Sequence, residues 1–206
     1  NKFYLHEDQI CKLSHHEYNK NILEIGFGNG DNLINMSLNK PNDLFIGCDA
    51  YYNGCVKLLN KIVNKNIKNI KIWPDDIHLI IKKFKKNFFD LILILQPDPW
   101  PKKKHAKRRL LNTEFVHELS RKMAAGASLT IATDWEHYAL EISSIMACSS
   151  AFVSKEIGPK SHCLMEEERV DYSGETKFEA RGIRLGHRIW HLAYKKIREL
   201  KTQTKA

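Results

Sequence analysis

The chain has 206 residues, of which 43% are hydrophobic and 28% are charged. This length suits one α/β domain with its own core, and the composition excludes a mostly disordered chain. The longest strongly apolar run, Phe88–Leu95, contains Asp90 and is far shorter than the ~20 apolar residues of a membrane span, so no span is expected. We therefore expect one domain over residues 1–206, with residues 1–20 an extension that the pattern leaves unassigned.

The basic charge is concentrated in one part of the sequence. The net charge is +9, and the window from Lys82 to Arg109 holds ten Lys or Arg and two acidic residues. A block of this kind predicts a polyanionic partner such as nucleic acid or an anionic membrane surface. A solvated lysine-rich face is the alternative.

The cysteines exclude two classes of small protein. There are five, an odd number, and none are spaced as C-x-x-C. A disulfide framework and a zinc knuckle are therefore not expected, and neither is a metal site. Reduced thiols indicate a cytoplasmic protein.

Short apolar runs alternate with longer amphipathic segments along the chain, as in a sheet whose strands are connected by helices. The predicted strands are Asn21–Ile25, Leu44–Cys48, Ile67–Trp73, Phe88–Leu95, Ser128–Ala132, Ala151–Ile157 and Ile189–Tyr194. The predicted helices are one or two turns within Leu5–Leu13, a helix from Asp31, Gly54–Val63, Asp76–Phe84, a helix capped by Asn112 that runs through Met123 and is ended by Gly126, and Trp135–Cys148.

This alternation predicts a mostly parallel, doubly wound α/β sheet with helices on both faces. Ligands of such sheets bind at the carboxyl ends of the strands, near the switch in strand order. We therefore expect the functional residues in the segments that follow the strands.

A glycine-rich turn follows the first predicted strand. Gly26, Gly28 and Gly30 are spaced as G-x-G-x-G, and Glu24 lies two residues before the first of them. An acid there would repel the pyrophosphate of a dinucleotide. It suits a cationic ligand such as the amino group and sulfonium of S-adenosylmethionine. A tight turn without any ligand is the alternative.

Acidic residues also follow the next two strands. Asp49 ends the second strand and can accept hydrogen bonds from both hydroxyls of a ribose. Asp76 follows the third strand and can bond an adenine amino group, although Asp75 is a rival and Asp76 also fits a helix cap. Acids at three successive strand ends favour a nucleoside ligand.

A stiff loop follows the most apolar strand. Pro97, Pro99 and Pro101 restrict its backbone and enclose Asp98 and Trp100. Such stiffness suits a site that holds two reactants in line. The basic run 102–109 comes next and can contact phosphates. Trp100 can stack on a base or pack the loop down.

Two further segments carry polar and aromatic side chains. Thr133–Glu136 follows the fifth strand and fits either a helix cap or a binding site. Thr176–Gly182 combines hydrogen-bond donors, charges and an aromatic ring, and fits either a solvated turn or a binding site.

These segments together resemble the bacterial tRNA (guanine-N7)-methyltransferase family. The similarity extends over roughly residues 21–197 in the same order, and its specific motifs are the Pro-Asp-Pro-Trp loop with its basic run and the Thr-Lys-Phe-Glu-x-Arg-Gly stretch. The matching segments are Glu24–Gly30, Pro97–Arg109, Thr133–Trp135, Thr176–Arg181, Arg184–His187 and Trp190.

The resemblance implies a Rossmann-like class I methyltransferase that transfers a methyl group from S-adenosylmethionine to N7 of guanine 46 in the tRNA variable loop. We further expect no membrane and no obligatory protein partner, and either a monomer or a homodimer. The implied cofactor contacts are Glu24, Gly26, Gly28, Gly30, Asp49, Asp76 and Asp98. Asp98 is also the implied catalytic residue. The implied substrate contacts are Lys102, Asp134, Thr176, Lys177, Phe178 and Glu179.

Two positions depart from the family pattern. The ribose-binding position is commonly Glu and here is Asp49, which is one methylene shorter. The residue before Pro97 is usually aromatic and here is Gln96, which predicts a change in local packing.

Two other classes of protein stay open on the residues alone. A non-catalytic RNA-binding subunit would keep the fold, but the intact acids at the strand ends argue against it. A nucleotide-sugar or NAD-linked enzyme is disfavoured by Glu24 and by the absence of G-x-G-x-x-G.

Overall fold

The computed structural model describes residues 2–14, 17–154, 184, 186 and 188–197. Seven strands form one sheet in the order β3-β2-β1-β4-β5-β7-β6. The strands are β1 (Asn21–Ile25), β2 (Leu44–Cys48), β3 (Ile70–Trp73), β4 (Phe89–Leu95), β5 (Met123–Thr133), β6 (Phe152–Ser154) and β7 (Trp190–Lys196). The α-helices are α1 (Glu7–Ile10), α2 (Asp31–Asn39), α3 (Tyr52–Asn64), α4 (Thr113–Lys122) and α5 (Glu136–Ala147), and 3₁₀ helices span Ile77–Leu79, Ile81–Lys83 and Lys103–Arg108.

The sheet is mostly parallel. Strands β1 to β5 pair in parallel, while β7 pairs antiparallel with both β5 and β6. The strands in its centre are short apolar runs that are buried along nearly their whole length, as expected of strands covered on both faces. The predicted fold class, a Rossmann-like α/β sheet, is therefore confirmed.

Helices cover both faces of this sheet. One face packs Leu23 and Ile92 with Phe115 of α4 and Tyr138 of α5. On the other face, Ile22 packs in a second cluster with residues of α2 and α3. Successive side chains along each strand point to opposite faces of the sheet, so they pack into two separate hydrophobic cores.

The strand order places several loops together. Strands β2 and β4 flank β1. The chain adds β2 and β3 on one side of β1 and then β4 and β5 on the other side, so the strand order switches beside β1. The carboxyl ends of β1, β2, β3, β4 and β5 therefore meet at one edge, which we call the carboxyl rim, and their starts form the opposite amino rim. Ligands of such sheets bind at the carboxyl rim, beside the switch.

Two predicted helical features are wrong in detail. The helix predicted for Asp76–Phe84 consists of two 3₁₀ helices, with Asp76 capping the first. Ile77 and Ile80 are both buried, and their i, i+3 spacing matches the three-residue turn of this geometry. The segment therefore buries its apolar side without forming an α-helix.

Gly126 does not end helix α4. The chain turns extended already at Met123, and Gly126 lies inside β5 with φ +81°. The pairing shifts between Phe89–Met123 and Leu91–Ser128, so extra residues bulge out of β5. A glycine suits a bulge for the same reason that it suits a helix end, because both need a left-handed backbone.

The remaining differences between the predicted and the observed elements concern the ends of strands. Strand β3 begins at Ile70 rather than at Ile67, and β7 extends to Lys196. Strand β6 spans Phe152–Ser154, and residues 155–157 of the predicted strand lie outside the described residues. Within the described ranges, no helix is both long and apolar enough to cross a bilayer.

Candidate functional site at the carboxyl rim

The glycine turn joins β1 to α2 at the centre of the carboxyl rim. Gly26, Gly28 and Gly30 all have positive φ angles, of 78°, 58° and 72°. A Cβ added at Gly26 would meet no atom within 4 Å, whereas one at Gly30 would lie 2.6 Å from Cδ1 of Leu58. The turn is thus packed against α3 on one side and leaves open space beside Gly26, where a ligand can approach the backbone.

Glu24 lies beneath this turn and is almost fully buried, with 2% of its surface exposed. Its Oε2 accepts a hydrogen bond of 2.8 Å from Nδ2 of Asn32, in the first turn of α2. The pKa of Glu24 is raised to about 8, chiefly by burial; the hydrogen bond from Asn32 lowers it, and the negative charge of Asp49 raises it. A cation that reaches this carboxyl group would favour its ionised form.

Asp49 connects the end of β2 to the glycine turn. Its Oδ2 accepts a hydrogen bond of 2.7 Å from the N–H of Gly28, and its Oδ1 accepts one of 2.8 Å from the N–H of Tyr51. The shorter aspartate side chain therefore reaches the backbone on both sides. Each oxygen keeps a further lone pair for a ligand hydroxyl, so contact with a ribose stays a prediction.

Asp49 is also electrostatically coupled to the loop after β4. Burial raises the pKa of Asp49, the bonds from Tyr51 and Gly28 lower it, and the negative charge of Asp98 raises it. Glu24, Asp49 and Asp98 therefore lie along one rim, each coupled to the next. Their assignment as cofactor contacts remains a prediction.

Asp76 follows β3 and is exposed. Its Oδ1 accepts a hydrogen bond of 2.8 Å from the N–H of His78, so it caps the first 3₁₀ helix. Its own N–H donates to Oδ1 of Asp75 at 2.7 Å. The cap that the sequence left open as an alternative is present, and contact with an adenine stays a prediction.

The loop after β4 carries an exposed Asp98 between two residues with unusual backbone geometry. Gln96 has φ +55° and Trp100 has φ +41°, in the left-handed region that few non-glycine residues adopt. Strained backbone of this kind concentrates at functional sites. The loop is thus held in a specific shape, as its prolines predicted.

Trp100 packs against the basic run that follows it. The guanidinium carbon of Arg108 lies 4.9 Å from the centre of the Trp100 ring, and His105 meets the ring edge with a centroid distance of 5.7 Å. Trp100 therefore helps to fold the 3₁₀ helix onto the loop. The exposed residues of the run are Lys102, Lys103, Lys104, Lys107 and Arg108.

The basic window of the sequence is divided in space. The 102–109 run follows β4 at the carboxyl rim, whereas the lysines of 82–86 precede β4 at the amino rim. Two of the latter are engaged locally: Lys83 pairs with Glu7, and Lys85 donates to the carbonyl of Leu13 at 2.9 Å. The window that is continuous in the sequence therefore forms two separate basic groups in the fold, one at each rim.

Asp134 lies after β5, beside the Asp98 loop. Its N–H donates a hydrogen bond of 3.0 Å to Oε1 of Gln96, while Oγ1 of Thr133 accepts one of 3.2 Å from the N–H of Trp135. The structure thus brings Lys102 and Asp134 to the rim that carries the acids. The other implied substrate contacts, Thr176, Lys177, Phe178 and Glu179, lie outside the described residues.

Three residues at the site were missed by sequence reasoning. Asn32 binds Glu24, Gln96 binds the Asp134 backbone, and Arg109 is turned away from solvent into the fold. The unusual Gln96 was the one visible signal among them. For Asn32 and Arg109 no local pattern exists, because their contacts are made across the fold.

Comparison with known proteins gives consistent results. A family model described as "Putative methyltransferase" matches residues 18–192. A tRNA (guanine-N(7)-)-methyltransferase of Wolbachia pipientis wMel is 41% identical over 155 residues, which cover 75% of this chain and 70% of that protein. One of Hydrogenovibrio crunogenus is 36% identical over 177 residues, covering 85% and 72%. Among solved structures, an rRNA methylase of Streptococcus thermophilus aligns with a TM-score of 0.56 at 9% identity over 93% of this chain and 94% of that one, which shows a shared fold.

Proposed function

The chain belongs to the tRNA (guanine-N7)-methyltransferase family, and from this membership we propose that it methylates N7 of guanine 46 in the variable loop of tRNA, with S-adenosylmethionine as the methyl donor. The observation that supports this best is the buried Glu24 below a glycine turn with open space at Gly26. A carboxyl group in that place favours a cationic ligand over a phosphate.

The residues at the rim fit the chemistry of this donor. Glu24 offers a carboxylate to the positively charged amino acid and sulfonium part, and Asp49 offers two acceptor oxygens to a ribose. The open space at Gly26 lets the ligand approach the backbone, while Gly30 keeps the turn packed on α3. Gly28 is a further cofactor contact in this proposal. Asp76 contacts the adenine in this proposal, and Asp98 lies at the reacting end.

S-adenosylmethionine supplies a methyl group bound to a positively charged sulfur. The in-plane lone pair of guanine N7 forms the new N–C bond, and the electrons of the broken S–C bond return to sulfur, which leaves a neutral thioether. N7 carries no proton at neutral pH, so the transfer requires no general base. The task of the protein is to align the reactants and to exclude water.

Asp98 is the catalytic residue in this proposal. Positive charge passes from the donor to the guanine ring during transfer, and a fixed carboxylate beside the base stabilises that charge. The left-handed residues Gln96 and Trp100 hold the loop that presents it. Its coupling to Asp49 supports a position near the cofactor.

The tRNA contacts extend from this loop. Guanine N7 lies on the major-groove edge, which is deep and narrow in A-form RNA, so the target base must sit in a loop or be splayed out. Lys102 and its exposed neighbours offer positive charge to the backbone. Asp134 and Thr176, Lys177, Phe178 and Glu179 complete the proposed substrate site. We further propose one domain over residues 1–206 that acts in the cytoplasm as a monomer or homodimer without an obligate protein partner.

The test is incubation with methyl-labelled S-adenosylmethionine and bulk tRNA, followed by nucleoside mapping. We expect label in 7-methylguanosine at position 46, and no label in a transcript whose guanine 46 is replaced by adenine. Label in another nucleoside would overturn the proposed reaction, and 7-methylguanosine elsewhere in the tRNA would overturn the proposed position. Calorimetry with the cofactor alone distinguishes a non-catalytic RNA-binding subunit, which would release no heat of binding.

A further inference from the structure

Arg109 is the last residue of the basic run, but its environment differs from that of its neighbours. Only 10% of its side chain is exposed, whereas Lys107 and Arg108 are exposed on the 3₁₀ helix. A guanidinium group that contacts an RNA phosphate has to be accessible to it. Arg109 is therefore badly placed for the phosphate contact that its position in the sequence suggests.

The guanidinium group of Arg109 is instead bonded to the backbone of the Asp98 loop. Its Nε donates a hydrogen bond of 2.8 Å to the carbonyl of Pro99, and Nη2 donates one of 3.2 Å to the carbonyl of Trp100. These are the two residues that directly follow Asp98. One planar group thus fixes two consecutive peptide units next to the catalytic residue.

Helix α5 holds the opposite side of this guanidinium group. Nη1 of Arg109 forms an ion pair with Glu141, and the guanidinium carbon lies 5.2 Å from the centre of the Tyr138 ring. Tyr138 is fully buried, and its hydroxyl oxygen accepts a hydrogen bond of 3.2 Å from the N–H of Leu111. Arg109 therefore connects the loop to a rigid part of the core.

The geometry of the loop explains why such a connection is needed. Trp100 has φ +41°, a strained conformation that persists only where surrounding contacts enforce it. Its carbonyl is one of the two that Arg109 binds. A lysine would keep the charge at this position but could not form the planar set of parallel N–H bonds.

We propose that Arg109 is a positioning residue that fixes Asp98 for methyl transfer and does not contact tRNA. The inference rests on the proposed function, because it assigns the loop the reacting aspartate. It divides the basic run into exposed side chains that bind RNA and one buried arginine that shapes the site.

The test compares Arg109→Lys with Lys107→Met, a change at an exposed position on the same 3₁₀ helix. For Arg109→Lys we expect the single-turnover rate at saturating tRNA and S-adenosylmethionine to fall roughly 10- to 100-fold, because small misplacements of a reacting group cost about this much. The dissociation constants of tRNA and cofactor should stay within about twofold, and so should the salt dependence of tRNA binding. For Lys107→Met we expect the opposite pattern, a weaker affinity for tRNA and a salt slope reduced by about one.

Other results would overturn the proposal. A wild-type saturating rate in Arg109→Lys, or a loss of tRNA affinity with that rate intact, would assign Arg109 to the RNA surface. If Arg109→Lys does not fold, Glu141→Ala is the test, because it removes the ion pair between α5 and the guanidinium group of Arg109. A saturating rate equal to wild type in Glu141→Ala would then contradict the positioning role of Arg109. Failure of the proposed function can be distinguished from failure of this proposal, because the wild-type protein itself would then leave tRNA unlabelled.

Discussion

The side-chain oxygen Oε1 of Gln96 accepts a hydrogen bond of 3.0 Å from the backbone N–H of Asp134. The backbone N–H of Gln96 also donates to the carbonyl of Ala132, at 2.7 Å. One residue thus ties the end of β4 to the end of β5 with its backbone and its side chain. These strand ends carry the two loops on which the proposed catalytic and substrate residues lie.

The family resemblance predicted an aromatic side chain at this position. An aromatic ring could not accept the hydrogen bond from Asp134, which the side chain of Gln96 accepts here. The contact leaves Nε2 of Gln96 buried and without a hydrogen-bond partner in the described part of the chain. Such a donor costs of order 1–3 kcal/mol, which the bond to Asp134 offsets in part.

We expect Gln96→Met to weaken the connection between the two loops. Methionine has a similar length but leaves the N–H of Asp134 without this acceptor, so turnover should fall. Because methionine also removes the unpaired Nε2, the free energy of unfolding should change little. Gln96→Glu keeps an acceptor in the same place and should retain more turnover than the methionine variant. Urea unfolding and single-turnover assays measure both, and equal turnover in the two variants would contradict the expectation.

We expect Asp98→Ala to abolish turnover without destabilising the fold. Asp98 is exposed, so its removal should change the free energy of unfolding by no more than about 0.5 kcal/mol. Loss of a group that stabilises developing charge should lower the saturating single-turnover rate about 10²- to 10³-fold. The matched control is Asp8→Ala, which removes an exposed acid from α1. Near-normal methyl transfer by Asp98→Ala at saturating tRNA and cofactor would refute the catalytic assignment.

The sequence predicted the centre of the fold well, because continuous apolar runs with polar or glycine boundaries define buried strands. Strands β1 and β2 were predicted with their observed bounds, and β4 to within one residue. Segments whose geometry depends on competing local bonds were predicted less well. Gly126 is the example, since a left-handed glycine fits both a helix end and a bulge.

The sequence could not predict how distant residues share the site. Lys86 and Lys102 belong to one basic window, but seven strand residues at about 3.3 Å each separate the two ends of β4. Charge that is adjacent along the chain therefore lies on opposite rims. Arg108 and Arg109 are adjacent and identical in type, yet Arg108 is exposed, whereas only 10% of the Arg109 side chain is exposed, because it contacts Pro99, Trp100 and α5.

This division predicts that only one of the two lysine groups contributes to tRNA binding. We expect the double change Lys103→Gln with Lys104→Gln to weaken tRNA binding and to reduce its salt slope by about two, because two phosphate contacts are removed. The matched control is Lys82→Gln with Lys86→Gln, which removes the same charge from exposed positions at the amino rim. Filter binding between about 50 and 200 mM salt measures both slopes. An equal reduction in the control would show that tRNA reaches the amino rim.

Glu24 should make cofactor binding dependent on pH. Its pKa is raised to about 8 in the folded protein, chiefly by burial, so most of it is protonated at pH 7. Because a cationic ligand favours the carboxylate, binding should release a proton below pH 8, and the affinity should rise with pH and level off above that value. Calorimetry at several pH values, in buffers of different ionisation enthalpy, measures the proton release. A flat profile would contradict contact between Glu24 and the cation.

The same pKa shift predicts that Glu24→Gln stabilises the ligand-free protein while it removes cofactor binding. The ordinary pKa is 4.5 and the folded pKa is about 8, so the folded state holds a proton that the unfolded state releases between these values. The stabilising contribution of the protonated glutamic acid is complete below pH 4.5 and is lost as the pH rises through 8. Glutamine stays neutral and keeps an acceptor oxygen for Asn32, so its advantage should grow across that window, to about 2–5 kcal/mol. Measuring the free energy of unfolding at pH 5 and pH 8 tests this, and Glu136→Gln, at an exposed position, is the control. If Glu24→Gln differs from wild type by the same free energy at both pH values, the buried, protonated state of Glu24 is contradicted.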